Sequence, residues 1–550
     1  MHLRAWMFHL TSDTYAHHRL THGLPMSLFA WSWSFLMLYV GGMLFIGYLA
    51  TKRVKDADGY ATARGSYGPF FLALAFAATT ASGATFLGGP GLAYSYGTAT
   101  MWGMLYPCGV YLGLLICLKL VSVAGNKFAN RSIPEFLGDR YGSDGIRILV
   151  SIFSLVLFFY LAGQLVSGLV MFEIMLGLSQ EWALIITTVV LLFYVTMGGA
   201  HADILTDGVQ GFIMLLLALV IIVMFLMGAG IDGNFMAVID NLKEQDPNLV
   251  GVLNTSTPLY HNWWSMLSWS LALIPLGMLP HIGNKIWALD DNRERIRFVK
   301  YAFIAGMLMA TMGLGGLLAR AVLGDSLLQE GMSPNQALPA LFIELFPTWL
   351  AALIGVGVLA AIMSTADGLV VSSSQVIAND LYRRSYVPKF QPQLSSDEVD
   401  RRVLNISRIS TGVVLLICMG LAWMLVDQNI ALIIMIGTGG MMAAFAGPLV
   451  MGAIWHGVTR AGAFAGLVSG MAAFLILHSG SLSYVYVPDT FLEPVFSFLM
   501  GEMHNPYSCA GLGEIISVAV TWGVSKLTAP LPADHIEKLF GDTPTTSEAS

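Results

Sequence analysis

Charge is what this chain has least of. Only 11% of its 550 residues are Asp, Glu, Lys or Arg, against 56% that are hydrophobic, and the mean hydropathy is +0.70. Soluble domains carry roughly 25% charged residues to cover their surface, so a string of water-soluble domains is excluded. Cysteine is scarce too. Cys108, Cys117 and Cys418 sit inside apolar runs, where no disulfide framework is expected, and with Cys509 they read as small core-type residues. Catalytic and nucleotide motifs are missing. There is no G-x-x-x-x-G-K-[ST] loop, no metal-ligand spacing and no nucleophile elbow with triad partners. No polar segment is long enough for a nucleotide-binding domain, which excludes ATP-driven pumping. The chain does not read as an enzyme, and no nucleic-acid partner is expected.

What the chain has in abundance is apolar sequence. Runs of about 20 residues recur from residue 27 to residue 527, each long enough to cross a bilayer. Only helices or closed barrels satisfy every backbone group in lipid, and runs of this length are helices. Thirteen spans are expected, near 27–50, 69–95, 99–122, 145–176, 181–199, 203–228, 261–289, 299–324, 348–378, 404–427, 429–455, 460–478 and 509–527. The fold class is therefore an all-α membrane protein held in a lipid bilayer. Residues 1–26 are a polar tail with five histidines. They read as a disordered leader in preference to a metal-binding tail, with no cleavable signal peptide and with Met26 as an alternative start. Residues 528–550 read as a cytoplasmic tail.

The basic residues orient the spans. With the N-terminus outside and the C-terminus inside, all of the 27 Lys+Arg except Arg4, Arg19, Lys243 and Arg320 fall on the cytoplasmic side, Lys285 among them. The positive-inside rule predicts this bias for a multi-pass protein of the cell membrane. One missed span would reverse every later loop, so the tally supports an odd number.

Two spans are interrupted. Span two, AFAATTASGATFLGGPGLAYSYG, carries Gly88-Gly89-Pro90 in its middle, and span seven, WSLALIPLGMLPHIGN, carries Pro275, Gly277 and Pro280. Either break alone reads as a proline kink. Their separation by five spans points to an inverted repeat of five helices each, at 69–228 and 261–455. Residues 27–50 and 460–527 are then peripheral helices.

Six segments in order carry a resemblance. They are SGATFLGGPG (82–91), RSIPEFLGDRYG (131–142), YVTMGGAHADILTDGVQ (194–210), PHI (280–282), LAAIMSTADGLVVSSSQVIANDLYRR (359–384) and GPLVMGAIWHGVTRAGAFAGLVSG (447–470). Over about residues 27–480 the chain resembles the sodium/solute symporter family, whose members include permeases for proline, pantothenate and monocarboxylates. The resemblance implies the fold of the leucine transporter, with two inverted five-helix repeats, and sodium-driven import of a small organic solute by alternating access. It also implies a sodium site. Ser364 and Thr365 match residues that give side-chain oxygens to the ion, and Ala78, Ala81 and Ala361 match positions that give carbonyls. Asp207 matches an acidic position near the ion path, which in some members helps form a second sodium site.

The residues themselves fit such chemistry. Sodium needs oxygen ligands, and a broken helix frees carbonyls that hydrogen bonding would otherwise use up. The rival reading of Ser364 and Thr365 is ordinary back-bonding to the preceding turn. Asp367 lies one turn after Ser364, on the same face. A carboxylate at that depth costs roughly 2.5–3.5 kcal/mol on insertion scales, so it is a candidate for a second cation or a proton, against a structural partner for an Arg, a Lys or a helix N-terminus. For Asp207 the rival is a solvated cap. The solute site is expected between the breaks, with candidate lining residues Thr80, Ser82, Thr85, Phe86, Tyr160, Gln164, Leu276, Met278 and Thr438. The breaks carry no Asn, Gln, Asp or Glu. That disfavours sugars and amines, and a half-helix N-terminus at Gly88-Gly89 would favour an anion. A monocarboxylate or pantothenate-like acid is the expected solute. Ala272 and Leu276 stand where proline permease-like members have aromatic residues, which weakens a proline reading. Glu135 and Arg140 are expected to tie a cytoplasmic loop to helix ends, and His281 to be a hydrogen-bonded structural histidine. Proton coupling, an amino-acid or sugar solute, and a membrane sensor with the same fold are the rival functions. Oligomeric state is left open.

Overall fold

Lipid leaves the backbone no partner but itself, and the structure, a computed structural model, is helical throughout. It describes residues 27–54, 57–195, 199–485 and 490–540. The tail 1–26, its histidines and Met26, and residues 541–550 lie outside the described residues. Among those described, the regular elements are helices, joined by one isolated bridge between Tyr67 and Leu289.

Ten of these helices are long and apolar enough to cross a membrane, and a bent pair, Trp263–Met278 with Pro280–Ala288, makes an eleventh. The expected thirteen spans are all represented by apolar helix, and the lower count has a local cause. The first half of span two, Pro69–Thr80, has only 12 residues before its break. Its second half runs on into span three as one 44-residue stretch, Ala84–Lys127. Span five is a 16-residue helix, Gln180–Val195.

The first break is not where the glycines and proline suggested. The helix ends at Thr80, and Ala81 leaves helical geometry at φ −92°, ψ 80°. Gly88 is helical, and Pro90 sits where the wide turn Ala84–Gly88 runs directly into Gly89–Tyr96, so the chain stays helical through the proline. The glycines serve close packing instead. A Cβ on Gly88 would come within 2.5 Å of Ala431 N, and one on Gly91 within 2.9 Å of Pro334 O. The second break lies where expected. Trp263–Ala272 gives way to a short turn at Leu276–Met278, Leu279 is extended, and helix resumes at Pro280 after a 50° bend. Pro275 and Pro280 remove two backbone donors that a continuous helix would need.

The broken helices lie at the centre of the bundle. Pro69–Thr80 packs against Gly199–Leu226, Arg295–Met309 and Thr348–Gln375, and its residues from Leu72 to Thr80 are all buried. Span one packs on Thr348–Gln375 and Gly199–Leu226. Span thirteen, Pro506–Leu527, packs on Arg460–His478, Ile430–Phe445 and Trp263–Ala272. Large apolar side chains such as Leu38, Phe212, Leu216 and Leu416 are exposed and form the lipid-facing surface. Cys117, Cys418 and Cys509 are buried free thiols, but Cys108 is exposed, not core, because it lies on the outer face of its helix.

Candidate functional site

Where a helix stops, its last carbonyls lose their N–H partners. At the first break the N–H of Gly83 turns away to Gln164 Oε1, at 3.1 Å, leaving the Thr79 carbonyl four residues earlier without that helical bond. Hydroxyls from Thr348–Gln375 meet the carbonyls at this end. Ser364 Oγ donates to Ala78 O and to Ala361 O, both at 3.1 Å. Thr365 Oγ1 donates to Thr79 O at 3.1 Å and to Ala361 O at 3.4 Å. The structure thus gathers oxygens of Ala78, Ala361, Ser364 and Thr365 in one fully buried place. Back-bonding to Ala361 and contact across the helices occur together. Ala81 is the residue that caps the helix end. Thr79 was not foreseen, although its adjacency to Ala78 repeats the adjacency of Ser364 and Thr365.

Thr79 also connects this place to a group of charges. Its hydroxyl donates to Asp207 Oδ2 at 2.7 Å. Lys285 Nζ donates to the same oxygen at 2.8 Å and to Asp203 Oδ2. Asp203 and Asp207 lie one turn apart on Gly199–Leu226, and all three side chains are buried. The solvated-cap reading of Asp207 is therefore overturned, because the residue is fully enclosed between helices. Lys285 is enclosed as well. It is 3% exposed, held where span seven resumes after its break. The signal for this trio was present: two carboxylates at i and i+4 in one apolar span, and a lysine inside another. Asp367 is buried and shares a small cavity with Asp203 and Thr206. His281 departs from expectation. Neither of its ring nitrogens has a hydrogen-bond partner among the described residues, and it instead meets the Tyr160 ring edge-on, with centroids 5.1 Å apart.

A larger cavity, of about 100 Å³, opens between the two breaks. Of the expected lining residues, Thr80, Ser82, Thr85, Tyr160, Leu276 and Thr438 border it. Phe86, Gln164 and Met278 do not: Phe86 and Met278 are buried in packing, and Gln164 is engaged by Gly83. The sequence reading missed an aromatic set, Tyr106, Tyr260, Trp269 and Tyr507. Tyr507 belongs to span thirteen, which periodicity marks only as peripheral. No lining residue is charged. Outside the cavity, Glu135 accepts from Arg384 at 2.8 Å and from the Arg131 N–H at 2.8 Å, and Arg140 Nη2 donates to Gly452 O at 3.4 Å. These bonds give both residues the anchoring geometry expected.

The family model for the Sodium:solute symporter family matches residues 60–470. The chain belongs to this family. Similar proteins include the sodium/pantothenate symporter of Escherichia coli, 28% identical over 451 residues, covering 80% of this chain and 88% of that protein. The sodium/pantothenate symporter of Haemophilus influenzae is 26% identical, with the same coverage. The sodium/proline symporter of Salmonella typhimurium is 27% identical, covering 80% of this chain and 86% of its own. Among solved structures, a Na+-coupled sialic acid symporter in a substrate-bound, outward-open state superposes with a TM-score of 0.69 at 20% identity. The match covers 91% of this chain and 98% of that one, and at that identity it supports the fold alone, of the leucine-transporter type. As a member of this sodium/solute symporter family, the chain is a multi-pass membrane transporter that couples solute movement to sodium.

Proposed function

We propose that the chain imports a small carboxylate, of the pantothenate or monocarboxylate kind, with one sodium ion per cycle. The observation that carries this reading is the meeting of the Ser364 and Thr365 hydroxyls with the carbonyl end of the first broken helix, beside an uncharged cavity. Neutral oxygens suit a hard monovalent cation, so we place sodium among Ala78, Ala81, Ala361, Ser364 and Thr365, with the Thr79 carbonyl as a further ligand. Thr80 and Ser82 continue the same segment into the cavity. A carboxylate held by Thr80, Ser82 and Thr85 would lie near the ion, which offsets its charge. A solute amine would want an acidic lining, and the cavity offers none. The relatives that carry pantothenate favour the acid reading; those that carry proline are its competitor.

Lys285 bears on stoichiometry. Its ammonium bonds Asp207 and Asp203 and supplies a positive charge where a second cation would otherwise be needed, so we assign one sodium. Asp367 is the remaining candidate for a proton or a second cation. The two five-helix units, 69–228 and 261–455, would rock about the cavity, in the cell membrane with the N-terminus outside. Proteoliposomes holding the purified chain test the reading. Pantothenate, propionate, pyruvate and proline are offered with and without an inward sodium gradient. Sodium-dependent accumulation of an acid supports it. Uptake that follows a pH gradient without sodium, or accumulation of proline but of no acid, overturns it.

A further inference from the structure

Gln164 lies in span four, Leu157–Leu176, one turn after Tyr160, and is fully buried. Its Oε1 accepts the N–H of Gly83 at 3.1 Å, so it caps the start of a helix to which it does not belong. Beyond the first break, the second half of span two begins with the N–H groups of Gly83, Ala84, Thr85 and Phe86, and a helix start has no carbonyls one turn back for such groups. Ser82 serves three of them. Its hydroxyl accepts from Ala84 at 3.2 Å, and its carbonyl from Thr85 at 2.9 Å and from Phe86 at 3.1 Å. Gly83 is left to span four, which comes this near because the residue has no side chain. A Cβ there would fall 2.3 Å from Ser167 Oγ and 3.1 Å from Gln164 Oε1.

In a continuous helix the Gly83 N–H would bond the carbonyl of Thr79, four residues earlier. Thr79 O instead accepts from Thr365 Oγ1 and belongs to the oxygens placed around sodium above. Gln164 Oε1 and Thr79 O are thus rival acceptors for one donor. Gly83, Thr79 and Gln164 are all buried, and a buried N–H left without a partner is costly. With the amide oxygen gone, the acceptor that helix geometry offers Gly83 is Thr79 O, and that bond would close the helix over the carbonyl the ion needs. The orientation of the amide follows. Oε1 must face Gly83, since an N–H cannot donate to an NH2 group. The Nε2 group is then left without an acceptor among the described residues. One side-chain bond is forgone, and a backbone donor is held away from Thr79.

We propose that Gln164 is a positioning residue of the sodium site: by capping the Gly83 N–H it keeps the Thr79 carbonyl open to the ion. The inference rests on the sodium placement above. It goes beyond that placement by naming what holds the break open, and it gives Gln164 a part in sodium binding in place of the solute contact expected from the sequence. The Thr365 hydroxyl comes from span nine and the Gln164 amide from span four, so two helices act on one carbonyl, one directly and one through its rival donor.

The test uses the full chain in detergent and reads the binding of radioactive sodium alone, with no solute present. Gln164→Met keeps the length of the side chain and removes the amide. Gln164→Glu keeps an oxygen acceptor at the same reach, protonated or not. The methionine variant should bind sodium about tenfold more weakly, the scale of one hydrogen bond, and the glutamate variant should stay within about threefold of wild type. A packing role alone would be met by methionine as well as by glutamate. Should Gln164→Met fail to fold, Gln164→Asn, which draws the oxygen back by one methylene, takes its place with the same expectation. Coupling gives a second reading. Gln164→Met and Thr365→Val act on the same carbonyl, so together they should weaken binding little more than the larger effect alone, whereas independent effects would multiply to about a hundredfold. Unchanged sodium binding in the methionine variant, an equal loss in the glutamate variant, or multiplied losses in the double variant each overturn the proposal. The sodium placement fails separately: a Thr365→Val protein that binds sodium like wild type removes the site itself, whatever Gln164→Met does.

Discussion

Thr79 joins two kinds of chemistry through a single residue. Its carbonyl accepts from Thr365 and its hydroxyl donates to Asp207, so the neutral oxygen site and the charged trio share a neighbour. Thr365→Val removes the hydroxyl and keeps the volume. The sodium concentration that half-saturates uptake should rise about tenfold or more, while Thr365→Ser should stay within about threefold. A sodium titration of uptake reads both, and an unchanged requirement in the valine variant would remove Thr365 from the site. Lys285 makes a sharper case. Truncating it to Met leaves Asp203 and Asp207 facing each other without a cation. Breaking a buried pair in this way destabilises by about 3–5 kcal/mol, so the melting temperature in detergent should fall steeply. Adding Asp203→Asn to Lys285→Met should recover part of the loss. A Lys285→Met protein that melts like wild type would mean the trio is solvated.

Helix packing explains why the glycine run of span two misled the reading of its break. Gly88 lies where the backbone of Ala431 passes, so the residue is small because a neighbour is close, not because the chain unwinds there. Gly88→Ala should therefore cost about 1–3 kcal/mol through overpacking and slow uptake, as the second half of span two is pushed from Ile430–Phe445. Gly412 offers the control. It is mid-helix in Ser396–Met424 with nothing within 4 Å of its would-be Cβ, so Gly412→Ala should be neutral or stabilising by up to about 1 kcal/mol. Thermal melts of the two variants side by side decide the matter. Equal losses would show that both glycines serve conformation and not contact. The true break, at Ala81 and Ser82, carries no proline, and its one glycine, Gly83, stands where helix resumes. Its geometry is set by the partners its freed groups find, Gln164 for an N–H and Ser364 and Thr365 for carbonyls.

The driving force belongs to the whole molecule. A tenfold sodium gradient supplies about 1.4 kcal/mol, and one charge crossing 100 mV adds roughly 2.3 kcal/mol. A monoanion moving with one sodium transfers no net charge and draws only on the first of these. With Lys285 as the resident positive charge beside Asp207, uptake of a monocarboxylate should be electroneutral. Clamping proteoliposomes at voltages 100 mV apart should leave the rate unchanged within about 20%, against a change of about fiftyfold in the accumulation limit for one net charge. Inward current that accompanies acid uptake would require a second cation and would bring Asp367 into the coupling.

The sequence by itself determined the class of fold, the positions of the spans, the second break and the family. These rest on local properties that no packing detail can undo: apolar length against bilayer thickness, and prolines that remove donors at Pro275 and Pro280. It also marked Ser364, Thr365 and Ala78, though through resemblance more than through periodicity. Tertiary structure alone decided what depends on the far side of a contact. Whether Gly88 bends a helix or admits a neighbour, which carboxylates Lys285 meets, and which aromatic rings close the cavity are all questions of three-dimensional approach between residues far apart in the chain. Tyr507 shows the limit most plainly. It lies 238 positions after Trp269 in the numbering, on a helix whose sequence reads as peripheral, and only the fold lays its ring against the indole.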